Sequence, residues 1–181
     1  MIRHIVIPLL LLLAAASHPT GAGLLPYPVD DQAAPVLNLS DLGGTQHSLD
    51  AYRGKVVLVN FWATWCAPCL VEMPGMQRLL DAMEGQPFTI LAVNVKETKA
   101  TAWRFMNLLK VNFPALLDSD GTATAAWEVQ FYPTSFLIDS AGNIRYTAHG
   151  MIDWDSDEIR QIIEQLIPDN KAVIHETNSR P

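Results

Sequence analysis

Apolar positions along the chain fall into two rhythms, and the switches between them mark out the predicted elements. Lys55 to Phe61 is a nearly unbroken apolar run with Val56-Val57-Leu58-Val59 at its heart, and Phe88 to Val95 is a second. Runs this short, without polar alternation, predict strands buried on both faces. Between them, about Cys66 to Met83, the apolar residues Leu70, Met73, Leu79, Leu80 and Met83 recur at mixed three- and four-residue steps, which predicts a helix. Pro74 lies inside it and is expected to kink it; Gly85 and Pro87 close the segment. A second helix is predicted over Thr101 to Lys110, a brief strand over Ala115 to Leu117, and a third helix over Thr122 to Glu128 after the Asp120-Gly121 turn. Ser135 to Asp139 and Ile144 to His149 read as strands joined by the tight turn Asp139-Ser140-Ala141-Gly142. Upstream, Val36 to Leu39 and Gln46 to Leu49 flank Gly43-Gly44 as a hairpin. Asp155 with Glu158 resembles a capping box that opens a last helix reaching Leu166. This alternation predicts the α/β class: a central mixed β-sheet flanked by helices on both faces.

The two ends fall outside this pattern. Arg3 and His4 precede an apolar run from Ile5 to Ala16 that ends in small residues, and Ser17, His18 and Pro19 then break it. A short charged start, a brief apolar stretch and a small-residue site are the layout of a signal peptide, whereas a spanning helix needs about 20 apolar residues. The expectation is an exported, periplasmic protein, with a retained N-terminal membrane anchor as the alternative. Residues 1–23 are assigned to the signal peptide, 24–34 to a flexible lead-in rich in proline, 35–168 to one domain and 169–181 to a polar tail. The formal net charge of −7, with no Lys/Arg cluster, argues against a nucleic-acid partner. The acidic surface carries no interface signal, so a monomer is expected.

Chemistry enters with the cysteines. The chain has two, Cys66 and Cys69. A disulfide stabilises by closing a loop, and a ring this small closes almost none. A Cys-x-x-Cys can also be half of a zinc site, but that needs a second pair of ligands. His47, His149 and His175 stand alone, so no metal site is expected. A redox role is left. Cys66 falls at the end of a buried strand and the start of a helix, where the helix terminus favours a thiolate, the attacking species. Cys69 lies one turn further in, shielded, and is suited to resolving a mixed disulfide at Cys66. Ala67 and Pro68 complete the motif; Pro68 lacks a donor that an early helix position would leave unpaired anyway.

The segment Trp62-Ala-Thr-Trp-Cys-Ala-Pro-Cys-Leu-Val-Glu-Met-Pro74 resembles the signature of the TlpA/ResA-like branch of the thioredoxin superfamily. The resemblance covers residues 35 to 167. It implies a thioredoxin fold with two branch features, an N-terminal β-hairpin and a strand-helix insertion around Val95 to Leu117. It also implies an exported, mostly reducing thiol–disulfide oxidoreductase. Asn60 stands where ordinary thioredoxins bury an Asp. Glu72 stands where some branch members place a proton-relaying Glu, against the plain alternative of a solvated first-turn acid. Phe131-Tyr132-Pro133-Thr134 matches the cis-proline loop that faces the dithiol, so Pro133, Thr134, Tyr132 and an exposed Trp65 are expected to shape the substrate groove. Trp62 is expected to pack at the strand end, and Trp103 and Trp127 to serve as core or rim aromatics.

The resulting expectation is a reductant of client-protein disulfides, with a membrane thiol electron donor restoring Cys66 and Cys69 and no cofactor beyond that redox-active disulfide. Clients such as apocytochrome c or copper-site proteins fit the resemblance. Two alternatives stand beside it. One is a disulfide-introducing oxidase, which the same motif can support. The other is a copper-binding thiol chaperone, since copper(I) favours thiolates, with His149 as the one candidate extra ligand.

Overall fold

The computed structural model describes residues 25–26 and 32–168. The signal peptide and the polar tail assigned above lie outside the described residues, as does most of the lead-in. In chain order the strands are β1 (Leu25–Pro26), β2 (Asn38–Ser40), β3 (Gln46–Ser48), β4 (Val56–Trp62), β5 (Phe88–Val95), β6 (Ala115–Asp118), β7 (Thr134–Ile138) and β8 (Ile144–His149). The helices are α1 (Ala67–Ala82), α2 (Lys99–Leu109), α3 (Thr122–Ala126) and α4 (Asp157–Leu166).

The two apolar runs become neighbours. β4 and β5 pair in parallel, Val56 opposite Phe88 through Trp62 opposite Asn94, and β6 joins β5 in parallel. On the other side β7 and then β8 add antiparallel, and β1 pairs with the outer edge of β8, for an order of β1-β8-β7-β4-β5-β6. Every residue of β4 is buried. Successive side chains on a strand point to opposite faces, so this run feeds two cores at once. Val56, Leu58 and Trp62 pack with Met73, Met76 and Leu79 of α1, Met106 of α2 and Ile159 and Ile163 of α4. Val57, Val59 and Phe61 pack on the opposite side with Leu37, Leu49, Leu91, Trp127 and Phe136. The two faces are unequally covered: three helices lie on one, while the short α3 and the N-terminal segment close the other.

Several sequence boundaries move. The hairpin begins at Asn38 rather than Val36, and Val36 is exposed. It forms its own two-stranded sheet, attached to the β6 edge through a backbone bond from Leu42 to Ala115 and a bridge between Asp41 and Leu116. α2 starts at Lys99, two residues early, because the Thr98 hydroxyl caps it. The capping box expected at Asp155 and Glu158 does not form. Ser156 is the cap, its hydroxyl accepting from the Ile159 amide, while Asp155 turns away to Arg78. A hydroxyl one residue later satisfies the orphan amide, and the freed carboxylate takes the cation on α1. Pro74 lies within α1, which runs on through it to Ala82.

Candidate active site

The chain leaves β4 at Trp62, turns through Ala63, Thr64 and Trp65, and enters α1 at Cys66. That turn is closed by the Cys66 amide donating to the Ala63 carbonyl at 3.1 Å. Cys66 is the residue that caps α1, with extended backbone, and its Sγ accepts from the Cys69 amide at 3.3 Å. The sulfur thus occupies the place where a serine or aspartate oxygen would sit, over free amides at the positive end of the helix. Cys66 and Cys69 are joined in a disulfide. Cys66 retains 5 % exposure and Cys69 none, so an approaching sulfur reaches Cys66 first.

Glu72 is three residues beyond Cys69, on the same side of α1. It is not a solvated first-turn acid: it is 3 % exposed and belongs to the buried stripe Cys69, Glu72, Met73, Met76 and Leu79. Its Oε1 accepts from Asn60 Nδ2 at 2.8 Å, and its Oε2 accepts from the Ile152 amide and from Trp154 Nε1, both at 3.1 Å. Asn60 also donates to the hydroxyl of Ser135, its register partner across β4 and β7. Burial pushes the Glu72 carboxyl up to about 7, against the opposing pull of the Ile152, Trp154 and Asn60 donors. A carboxyl held there accepts and releases a proton near neutral pH. On sequence grounds Asn60 is a departure from the thioredoxin Asp; in the fold it is one of the three donors that hold Glu72.

The loop before β7 closes the site from the other side. The Tyr132–Pro133 peptide is cis, and the Pro133 carbonyl accepts from the Gly150 amide at 2.8 Å. Tyr132 meets Trp65 edge to face with ring centroids 5.5 Å apart, which brings this loop against the turn preceding Cys66. Trp65 is 68 % exposed and Phe131 65 %, leaving an apolar rim on both loops. Thr134 is placed differently from a groove residue. It is buried, and its hydroxyl donates to the Phe131 carbonyl, so it supports the loop from beneath. His149 Nδ1 lies 3.2 Å from that same hydroxyl. Among the described residues no group of three or more His, Cys, Asp or Glu side chains comes together to hold a metal ion.

Sequence reading missed Glu97. Its carboxylate accepts from the Thr64 amide at 2.8 Å, from the Thr64 hydroxyl at 2.5 Å and from Asn94 Nδ2 at 2.7 Å. Lys96, just before it, adopts φ 55°, a left-handed conformation uncommon outside glycine. The end of β5 is therefore bent so that an acid 31 positions beyond Cys66 fastens the turn leading into it. No periodicity signals such a contact; the one hint is an acidic residue just past the end of a buried strand. Glu72 had a stronger signal, since a charged residue at its position interrupts the apolar seam running from Cys69 to Met76.

Comparison with known proteins agrees with this geometry. The model of the AhpC/TSA family matches residues 31–147. The chain is 40% identical over 135 residues to the thiol-disulfide oxidoreductase ResA of Geobacillus thermodenitrificans, covering 75% of this chain and 76% of that one. It is also 40% identical over 111 residues to ResA of Bacillus subtilis, covering 61% and 62% of the two chains. Among solved structures it is similar to a thiol:disulfide interchange protein of the thioredoxin family from Chlorobium tepidum. That match has a TM-score of 0.67 and 26% identity, and covers 76% of this chain and 99% of the other.

Proposed function

The chain belongs to the AhpC/TSA family of thioredoxin-like proteins, and on that premise we propose that it is an exported thiol–disulfide oxidoreductase that reduces client disulfides through Cys66 and Cys69. The observation that carries this reading is the position of the Cys66 sulfur, capping α1 at the edge of the protein with Cys69 bonded behind it. Reduced Cys66, as thiolate, attacks one sulfur of a client disulfide. The client's other sulfur leaves as a thiolate that takes a proton from water, and a mixed disulfide forms. Cys69 then gives its proton to Glu72 and attacks the Cys66 sulfur, which releases the second client sulfur as a thiolate, protonated from water, and closes the Cys66–Cys69 disulfide. Two electrons pass to the client, and a thiol donor at the membrane returns them. Trp65, Tyr132 and Pro133 form the rim against which an extended client segment lies. Glu72, a buried acid–base group one turn from Cys69 along α1, takes the Cys69 proton in this step and returns it in the reverse one, so it serves exchange in either direction.

Export rests on the signal-like N-terminus; no helix among the described residues is long and apolar enough to cross a membrane. Proteins receiving haem or copper outside the cytoplasm, whose cysteines must first be reduced, are the clients this chemistry suits. Equilibration of Cys66 and Cys69 against defined thiol buffers tests the direction. A reduction potential near that of thioredoxin, about −270 mV, is expected; a value near that of the oxidant DsbA, about −120 mV, would overturn it.

A further inference from the structure

Glu72 is held by three donors, and their distribution over its two oxygens is uneven. Oε2 accepts from the Ile152 amide and the Trp154 indole, while Oε1 accepts from Asn60 Nδ2 alone. A carboxylate oxygen offers about two lone-pair directions, and neither a backbone amide nor an indole N–H can accept a proton in return. Both directions at Oε2 are therefore in use. A proton arriving there must displace a buried donor and leave it unpaired, at a cost of roughly 1–3 kcal/mol. At Oε1 one direction stays open, and protonation breaks nothing.

We infer that Trp154 is a positioning residue that, together with the Ile152 amide, confines the exchangeable proton of Glu72 to Oε1, the oxygen held by Asn60. This rests on the relay role of Glu72 and adds to it which oxygen carries the proton and which side chain decides that. Trp154 is completely buried, so its indole has no competing partner in water. Its chain neighbour Asp155 is tied to Arg78 of α1, which holds the segment carrying the indole against that helix. The charged and titratable groups around Glu72 are Arg78, Asp153 and Asp155, which share its cleft between α1 and the segment after β8, and Cys69 one turn back along α1. Asn60 and Ser135, facing it from β4 and β7, do not titrate.

The test reads the indole directly. In the oxidised protein, labelled with ¹⁵N at the tryptophans, the Trp154 Nε1–H resonance should shift as Glu72 titrates. It should keep a hydrogen-bonded position on both sides of the transition and lose that pH dependence in Glu72→Gln. In Trp154→Phe the Glu72 carboxyl, followed by its ¹³C shift, should titrate about one pH unit higher, because the charged form has lost a donor. An indole resonance that stays flat across the Glu72 transition, or that moves to an unbonded position on protonation, overturns the proposal. So does an unchanged carboxyl midpoint in a folded Trp154→Phe. The wild-type titration decides the matter even if that variant does not fold. Failure of the relay reading would look different: the indole and carboxyl titrate together, while the rate of Cys69 attack ignores the transition.

Discussion

Glu72 puts a carboxyl into the buried apolar seam of α1, and this has a measurable consequence. Folded Glu72 keeps its proton up to about pH 7, whereas its ordinary value is 4.5. Between those values the folded chain binds more protons than the unfolded one, so raising the pH favours unfolding. The stability penalty is absent at pH 4.5 and below, grows as pH rises toward 7 and is complete above it, on the order of 3 kcal/mol. Oxidised wild type should therefore lose stability relative to Glu72→Gln between pH 5 and pH 8. Denaturant melts of both proteins at the two pH values check this, and a constant difference between them would mean that Glu72 titrates at its ordinary value. The single-residue lesson extends to Cys66 and Cys69, whose spacing of three was enough to imply redox chemistry. The environment of Glu72 was not legible in that way, because its three donors come from residues 60, 152 and 154.

At the scale of elements, local chemistry decided starts and stops, and neighbours sometimes redistributed it. α4 illustrates both. Asp155 and Ser156 are each good caps by type, and sequence reasoning took Asp155. Arg78 on α1 claims the Asp155 carboxylate, so the cap passes to Ser156. Ser156→Ala should cost about 1 kcal/mol of stability, and Asp155→Ala, which removes a partly exposed ion pair, less than that. Thermal melts of the two variants rank them, and the reverse order would restore Asp155 as the cap. The turn before Cys66 shows the same dependence on another element. Its geometry is held by Glu97 from the segment after β5, and nothing within residues 62–69 reveals that partner.

For the whole molecule, the sheet is the organising fact, because β4 and β5 each serve two cores. Leu58 is fully buried on the face covered by α1, α2 and α4, and Leu91 is fully buried on the face covered by α3 and the N-terminal segment. Leu58→Ala and Leu91→Ala should each cost about 2–5 kcal/mol. If the thinly covered face were merely peripheral, chemical denaturation would show Leu91→Ala to be nearly neutral. The order of strands and helices, the burial of β4 and β5, and the dithiol at a helix start were legible along the chain. These follow from periodicity, turn residues and motif spacing, all local in the chain. Which donors hold the Glu72 carboxyl, which acid holds the turn ahead of Cys66, and how the loop carrying Tyr132 and Pro133 meets Trp65 emerge from the fold alone. Each of those depends on a hydrogen bond or ring contact between segments far apart in sequence. Such contacts depend on distance and direction in space, and the pattern of side-chain types along the chain encodes neither.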